Sequence, residues 1–234
     1  MTTSLILIPG FWLGAWAWDD VVAALPDGFD VHALTLPGLE PGAGPADRAG
    51  ITRADHVRAV TDLVDQLEGD VVLVGHSGGG ALVGEVVDRR PDRIRRAIYV
   101  DSGPLEEGAT IDPSATEQVP LPAWDELEAQ GSSIEGIDEA ALAEFRRRAV
   151  PHPGEVARGA VHVSDPRRFD VPATVICTSL PSEVLKTMAH GGPPFHTELG
   201  ESTDLTYVDL PTGHWPMFSR PADLAEAIAT AARG

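Results

Sequence analysis

The chain has 234 residues, 43% of them hydrophobic, with 36 acidic side chains against 17 basic ones and a formal net charge of −19. That length suits one α/β domain with a sizeable core, and so acidic a surface is repelled by nucleic acid and by anionic membranes. The lone cysteine, Cys177, excludes an intrachain disulfide, and no apolar run suits a signal core or a membrane span, so a cytoplasmic protein acting on a small molecule is expected.

In chain order, strands and helices alternate, the pattern of a mostly parallel sheet covered on both faces. Ser4 to Ile8 is a short buried strand, and Ala17 to Leu25 suits a helix. Asp30 to Leu34 is the next strand, stopped by Pro37-Gly38, and residues 40 to 50, rich in Pro, Gly and Ala, read as a long loop. A helix follows from Thr52, because Val57, Val60, Val64 and Leu67 recur at helical spacing. Thr52 suits its N-cap, with Asp55 three residues on. The apolar run Val71 to Val74 is a strand, and the helix after it ends before Pro91. Ile94 to Val100, Ala173 to Thr178 and Leu205 to Leu210 are further strands, and Asp223 to Ala232 is a closing helix.

Between Pro104 and Asp170 the alternation stops. Trp124 to Ala149 is charged and helix-prone, and Leu127, Leu142, Phe145 and Val150 offer apolar faces for packing. Residues 104–170 are therefore expected to form a cap inserted over the C-terminal edge of the sheet, within a single domain spanning 1–234.

The chemistry concentrates where the strand Val71 to Val74 runs into Gly75-His-Ser-Gly-Gly79. A strand that enters G-x-S-x-G and leaves as a helix is a nucleophile elbow, which exposes one serine hydroxyl above the sheet. Ser77 is the expected nucleophile, and the glycines keep strand and helix from colliding. The Gly78 N–H lies at a helix N-terminus, where partial positive charge can receive an oxyanion. A second donor should come from the loop after the first strand, Ile8-Pro-Gly-Phe-Trp. Phe11 N–H is the choice and Trp12 the next.

A serine hydroxyl needs a base, and the base a third group to fix its tautomer. Of eight histidines, His214 alone follows the last strand, at the sheet edge from which the elbow emerges. His56 falls in a helix, His32 in a strand, and His152, His162, His190 and His196 in cap or loop segments. His76 should point away from the nucleophile, as a structural or pocket residue. The acid is open between two strand ends. Asp101 directly follows Ile94 to Val100, and Glu183 is the carboxylate after Ala173 to Thr178. Asp101 is preferred over Glu183. Trp12, His76 and Trp215 are candidates for the wall of a substrate pocket.

On Leu7-Ile-Pro-Gly-Phe-Trp, Val74-Gly-His-Ser-Gly-Gly, Tyr99-Val-Asp-Ser-Gly and Gly213-His-Trp-Pro, the chain resembles the compact, single-domain α/β-hydrolases. These include plant methylesterases, hydroxynitrile lyases and small bacterial serine hydrolases. The resemblance implies an α/β-hydrolase fold, here with about six strands because the chain begins at what corresponds to the family's third. Two departures stand out. Pro9-Gly10 replaces the usual His-Gly of the oxyanion loop, and no aspartate follows Ala173 to Thr178, where many relatives carry the acid. Cofactor-independent dioxygenases of this fold carry it one strand earlier, which matches Asp101.

The function expected is a serine hydrolase, esterase-like, cleaving a small apolar acyl or aryl ester through a Ser-His-Asp triad and an acyl-enzyme. The alternatives are a lyase or cofactor-independent oxygenase on the same fold, with Lys186 a weak pointer to lyase chemistry, or a non-catalytic ligand receptor. No metal-ligand spacing or dinucleotide fingerprint is present, so no metal or cofactor is expected. The sequence sets no oligomeric state.

Overall fold

The computed structural model describes residues 2–191 and 197–234. Six parallel strands form the central sheet: β1 (Thr3–Ile8), β2 (Phe29–Ala33), β3 (Val71–His76) and β4 (Ile94–Val100), then Ala173–Cys177 and Leu205–Asp209. Between β4 and Ala173–Cys177, the short strands β5 (Gln118–Val119) and β6 (His152–Pro153) pair antiparallel as a separate ribbon. The last two sheet strands are thus β7 and β8, and the spatial order is β2-β1-β3-β4-β7-β8. From β1 the chain moves outward to β2 and then returns to lay β3 on the other side of β1. Such a reversal opens a crevice at the carboxyl ends of β1 and β3, the usual ligand position in an open α/β sheet.

Both faces of the sheet are covered, so the inner strands read as unbroken apolar runs. Period-two alternation splits β1 between two cores. Ile6 and Ile8 pack with Val57, Val60 and Val64 and with Leu82, Val83 and Val86. Leu5 and Leu7 pack on the opposite face with Trp18, Val21, Leu224 and Ile228. In chain order the helices are α1 (Asp19–Ala24), α2 (Pro45–Arg48), α3 (Arg53–Gln66), α4 (Gly78–Arg89), α5 (Trp124–Ala129) and α6 (Glu139–Arg148). They continue with α7 (Gly154–Arg158), α8 (Ser182–Gly191), α9 (Thr197–Gly200), α10 (Pro216–Ser219) and α11 (Pro221–Arg233).

The Thr52 N-cap forms as a full capping box. Thr52 Oγ1 accepts from the Asp55 N–H, and Asp55 Oδ2 accepts from the Thr52 N–H at 2.8 Å. Two segments differ from expectation. The stretch 40–50 is not all loop, because Asp47 caps the Gly44 N–H at 2.7 Å and closes the single turn α2. The helix expected over Ala17 to Leu25 is divided into a 3-10 turn, Ala15–Trp18, and α1.

The segment between β4 and β7 lies against the sheet through aromatic packing. Phe145, fully buried on α6, meets Trp16, Trp124, Trp215 and Phe218 with ring centroids 5.3–6.2 Å apart. Leu127 is buried and Val150 packs partly against the core, while Leu142 stays half-exposed. Cys177 closes β7, and its burial raises the thiol pKa to about 12, which removes it as a nucleophile. Among the described residues no helix is long and apolar enough to cross a membrane. His196 lies outside the described residues.

Candidate active site

Among the described residues, three that are not glycine carry positive φ: Trp12 at 67°, Ser77 at 50° and Asp101 at 45°. Ser77 and Asp101 directly follow β3 and β4, and Trp12 lies in the loop after β1. Left-handed backbone in side-chain-bearing residues is held only where its surroundings impose it, and such strain gathers at functional sites.

At the elbow, β3 meets α4 so closely that side chains are excluded. A Cβ on Gly75 would lie 2.6 Å from Val83 Cγ2 and 2.7 Å from the Gly79 carbonyl oxygen. On Gly79 it would lie 2.7 Å from the carbonyl oxygens of both Ile8 and Pro9. Backbone cannot swing away as a flexible side chain can, so Gly79→Ala is expected to cost roughly 1–3 kcal/mol. A clear fall in the urea midpoint should report it. An unchanged midpoint would mean that the elbow has room to spare.

The structure brings Ser77, His214 and Asp101 together. Ser77 Oγ lies 2.9 Å from His214 Nε2, and His214 Nδ1 lies 2.6 Å from Asp101 Oδ2. The carboxylate can only accept, so Nδ1 carries the proton and Nε2 is left to accept from the serine hydroxyl. His214 and Asp101 are largely buried, while Ser77 is half-exposed. Burial by itself would raise the Asp101 pKa. Hydrogen bonding and charge from His214, with donors from Ser179 and Thr178, outweigh it and hold the carboxyl well below its usual range. Those donors are the Ser179 N–H at 3.0 Å, the Thr178 N–H at 3.3 Å and the Ser179 hydroxyl. The end of β7, where an alternative acid was sought, therefore supplies donors to Asp101. Glu183 is turned to solvent, with an 82% exposed side chain paired to Lys186 at 2.7 Å.

Sequence reasoning missed the buttress behind His214. Its N–H donates to Ser133 O at 2.7 Å, and the Gly213 N–H donates to Glu135 O at 3.2 Å, so the inserted segment sets the loop. A Cβ on Gly213 would lie 2.6 Å from Ser133 O, which explains a glycine there. His76 Nε2 donates to the His214 carbonyl at 2.7 Å from a fully buried ring. Ser102 Oγ donates to Ser77 O at 2.5 Å and ties the elbow to the end of β4. Only the spacing Asp-Ser-Gly hinted at Ser102. No signal pointed to Ser133, Glu135 or Ser179.

The pocket-wall candidates need correction. His76 and Trp215 are core residues, at 0% and 2% exposure, and neither lines a cavity beside Ser77. Trp12 is a strap: its indole donates to Val119 O at 2.9 Å, and its carbonyl accepts from the Val150 N–H at 3.0 Å. Phe11 is wedged between the elbow and the inserted segment. Its ring stacks on His152 at 3.9 Å, and a Cβ on Gly78 would lie 2.7 Å from it. Among the described residues neither the Phe11 nor the Gly78 N–H has an acceptor. Among the described residues no three His, Cys, Asp or Glu side chains converge as a metal-binding group.

Three buried histidines make this framework acid-sensitive. Burial, reinforced by the charge of His214, lowers the His76 pKa to about 3, and burial lowers that of His56 to about 4. His152 is pushed down in the same way. The unfolded chain binds these protons as pH falls through about 6.5, while the folded chain does not until far lower. Stability should therefore be lost as pH falls below 6.5. By pH 5 the loss is about 2 kcal/mol for each of His56 and His76. Urea midpoints at pH 7 and pH 5 check this, and equal midpoints would show that the rings are solvated.

Residues 5–227 match a family model described as the Alpha/beta hydrolase family. A pyrethroid hydrolase from Sphingobium wenxiniae is 27% identical, over 97% of this chain and 86% of its own length. A carbendazim hydrolyzing esterase from a Nocardioides species is 28% identical, over 97% and 98% respectively. In fold, the chain superposes on a crystal structure of a methylesterase from Arabidopsis with a TM-score of 0.74. That match is 20% identical and covers 99% of each chain.

Proposed function

The chain belongs to the alpha/beta hydrolase family, and on that premise we propose that it is an esterase-like serine hydrolase acting on small-molecule esters through Ser77, His214 and Asp101. The observation that carries this reading is the continuous hydrogen-bonded line from Ser77 Oγ to His214 Nε2 and from His214 Nδ1 to Asp101. The half-exposed serine at the end of that line opens on a cavity of about 310 Å³, room for a small molecule, and His214 lines a second of about 370 Å³. Relatives named as a hydrolase and an esterase, aligned over almost the whole chain, support the same reaction class.

In this reaction Ser77 Oγ bonds to the ester carbonyl carbon as its proton passes to His214 Nε2. Asp101 keeps the imidazole in the required tautomer and stabilises the imidazolium. The Phe11 and Gly78 N–H groups receive the oxyanion, each donor typically worth about 3 kcal/mol of barrier. Collapse breaks the bond to the alcohol oxygen, which takes the proton from Nε2. A water, deprotonated by His214, then releases the acid and restores Ser77. The chain acts as one unit, residues 104–170 serving as the cap that walls the site and braces His214.

Lysine-assisted lyase chemistry is the weaker reading, because Lys186 pairs with Glu183, lies over the Tyr207 ring and lines neither cavity beside Ser77. The test is intact-mass analysis after a fluorophosphonate, with peptide mapping. One adduct on Ser77 is expected, and ester turnover in ¹⁸O-water should place the label in the acid product. No adduct, under conditions that label a known serine hydrolase, would overturn the reading.

A further inference from the structure

The loop after β1 is held from the inserted segment by one cross-strand pair. Val119 on β5 stands directly opposite His152 on β6. The Val119 carbonyl accepts from the Trp12 indole at 2.9 Å. The His152 ring stacks on the Phe11 ring, with centroids 3.9 Å apart and planes 12° from parallel. Two successive residues of the loop are thus gripped by the two halves of one pair. We propose that His152 is the positioning residue of the oxyanion hole: its ring fixes the Phe11 side chain and, through it, the spacing of the Phe11 and Gly78 N–H groups. This rests on the serine-hydrolase reading above, in which those two groups receive the oxyanion.

The loop runs close against the elbow. A Cβ on Gly10 would lie 3.0 Å from Ser77 Cβ, so the peptide that carries the Phe11 N–H passes beside the nucleophile. The Phe11 ring then reaches the second donor residue, its Cδ1 and Cε1 each 2.7 Å from where a Cβ on Gly78 would stand. The ring of one donor residue therefore rests on the other, and His152 covers a face of that ring. Trp12, next in the loop, holds φ 67°, a strained conformation for a tryptophan that persists only under constraint. Its carbonyl accepts from the Val150 N–H, two residues before His152, at 3.0 Å. Without this grip the loop is free to relax.

His152 is itself held firmly. Arg48, buried on α2, donates to Gln118 Oε1 at 2.7 and 3.2 Å and anchors β5 beside it. His56 meets the His152 ring nearly edge to face, with centroids 5.5 Å apart, and its own Nε2 donates to Pro37 O at 2.9 Å. Among the described residues neither nitrogen of His152 has a hydrogen-bond partner, so what the side chain supplies is its flat face. Burial and the charges of His56 and Arg53 keep the ring neutral, and it stacks without burying an unpaired charge. Oxyanion donors work because they are fixed before charge develops, and a shift of about 1 Å can cost about a hundredfold in rate. The ground-state ester depends on them less, so loosening them lowers kcat and spares KM.

The test compares three substitutions at one position. His152→Ala removes the stack, His152→Leu keeps apolar bulk without the flat face, and His152→Phe keeps both. Alanine and leucine should lower kcat on a nitrophenyl ester by about tenfold to a hundredfold, with KM held within about twofold. Phenylalanine should keep kcat within about threefold of wild type. An aryl trifluoromethyl ketone gives a second readout. Ser77 Oγ adds to its carbonyl carbon, the proton passes to His214 Nε2, and the carbonyl oxygen becomes an oxyanion in the hole. Its Ki should rise by the factor by which kcat falls. Ile228→Ala opens the core beneath α11, away from the loop, and should lower the urea midpoint while keeping kcat. Complete fluorophosphonate labelling at Ser77 shows that a variant is folded, and leucine carries the same test if alanine does not fold. Labelled variants with wild-type kcat, a loss that phenylalanine fails to restore, or an equal loss in Ile228→Ala would overturn the assignment and leave the hydrolase reading standing. Absence of labelling in the wild-type chain would overturn that reading, and the assignment with it.

Discussion

Ser77→Ala is expected to lower kcat by about a millionfold, the scale on which removal of a triad serine acts in a site of this kind. The size of the effect comes from the loss of the one atom that can form the acyl-enzyme, since Cys177 is buried with its thiol pKa raised to about 12. Any residual rate would come from the oxyanion donors and from binding, which still act on a water-mediated reaction. The variant should fold, because alanine keeps the Cβ and changes none of the elbow contacts. Ser77 holds φ 50° and ψ −125°, a conformation that glycine adopts without strain. Ser77→Gly should therefore be equally inactive but more stable than Ser77→Ala, by about 1 kcal/mol. Steady-state kinetics on a nitrophenyl ester and urea midpoints for the two variants decide both points. An alanine variant retaining more than a thousandth of the activity would remove Ser77 from the proposed mechanism.

Asp101→Asn should lower kcat by about ten thousandfold with little loss of stability. Asparagine tolerates the left-handed conformation at φ 45°, so the strand end keeps its shape. Its single carbonyl oxygen would take the N–H groups of Thr178 and Ser179, as Asp101 Oδ1 does now. The amide NH2 then faces His214 Nδ1 and donates to it, where the carboxylate accepted. That moves the imidazole proton to Nε2 and aims it at Ser77 Oγ, so the ring can no longer act as base. The charge that stabilises the imidazolium disappears with it. Glu183→Gln supplies the contrast. That side chain is 82% exposed, and kcat should change by less than about twofold. A small effect at Asp101 with a large one at Glu183 would reverse the assignment of the acid.

Much of this molecule was legible because its signals are local. The apolar runs of β1, β3, β4 and β7 mark strands buried on both faces, and the capping box at Thr52 and Asp55 marks where α3 begins. The glycines around Ser77 mark a close crossing of strand and helix, and the contacts at Gly75 and Gly79 show how little space it leaves. The single turn at Pro45–Arg48 was hidden because residues rich in Pro and Gly read as loop, and only the Asp47 cap closes it. Trp215 and His76 misled for a related reason. An aromatic residue or histidine beside a candidate catalytic residue looks the same in sequence whether it turns toward the substrate or into the core.

The sequence by itself marked the six strands of the sheet, the position of the elbow and His214 as the histidine that follows the last strand. Each of these is written within a few residues, by side-chain period, by turn chemistry or by placement at a strand end. Only the tertiary structure set Asp101 against His214 and left Glu183 in solvent. It also supplied the bracing of His214 by Ser133 and Glu135 and the strap from Trp12 to Val119. The Asp101–His214 and Trp12–Val119 contacts join residues 113 and 107 positions apart in the chain. Which long-range partners meet is set by how the strands stack and where the inserted segment comes to rest, and no local pattern encodes that.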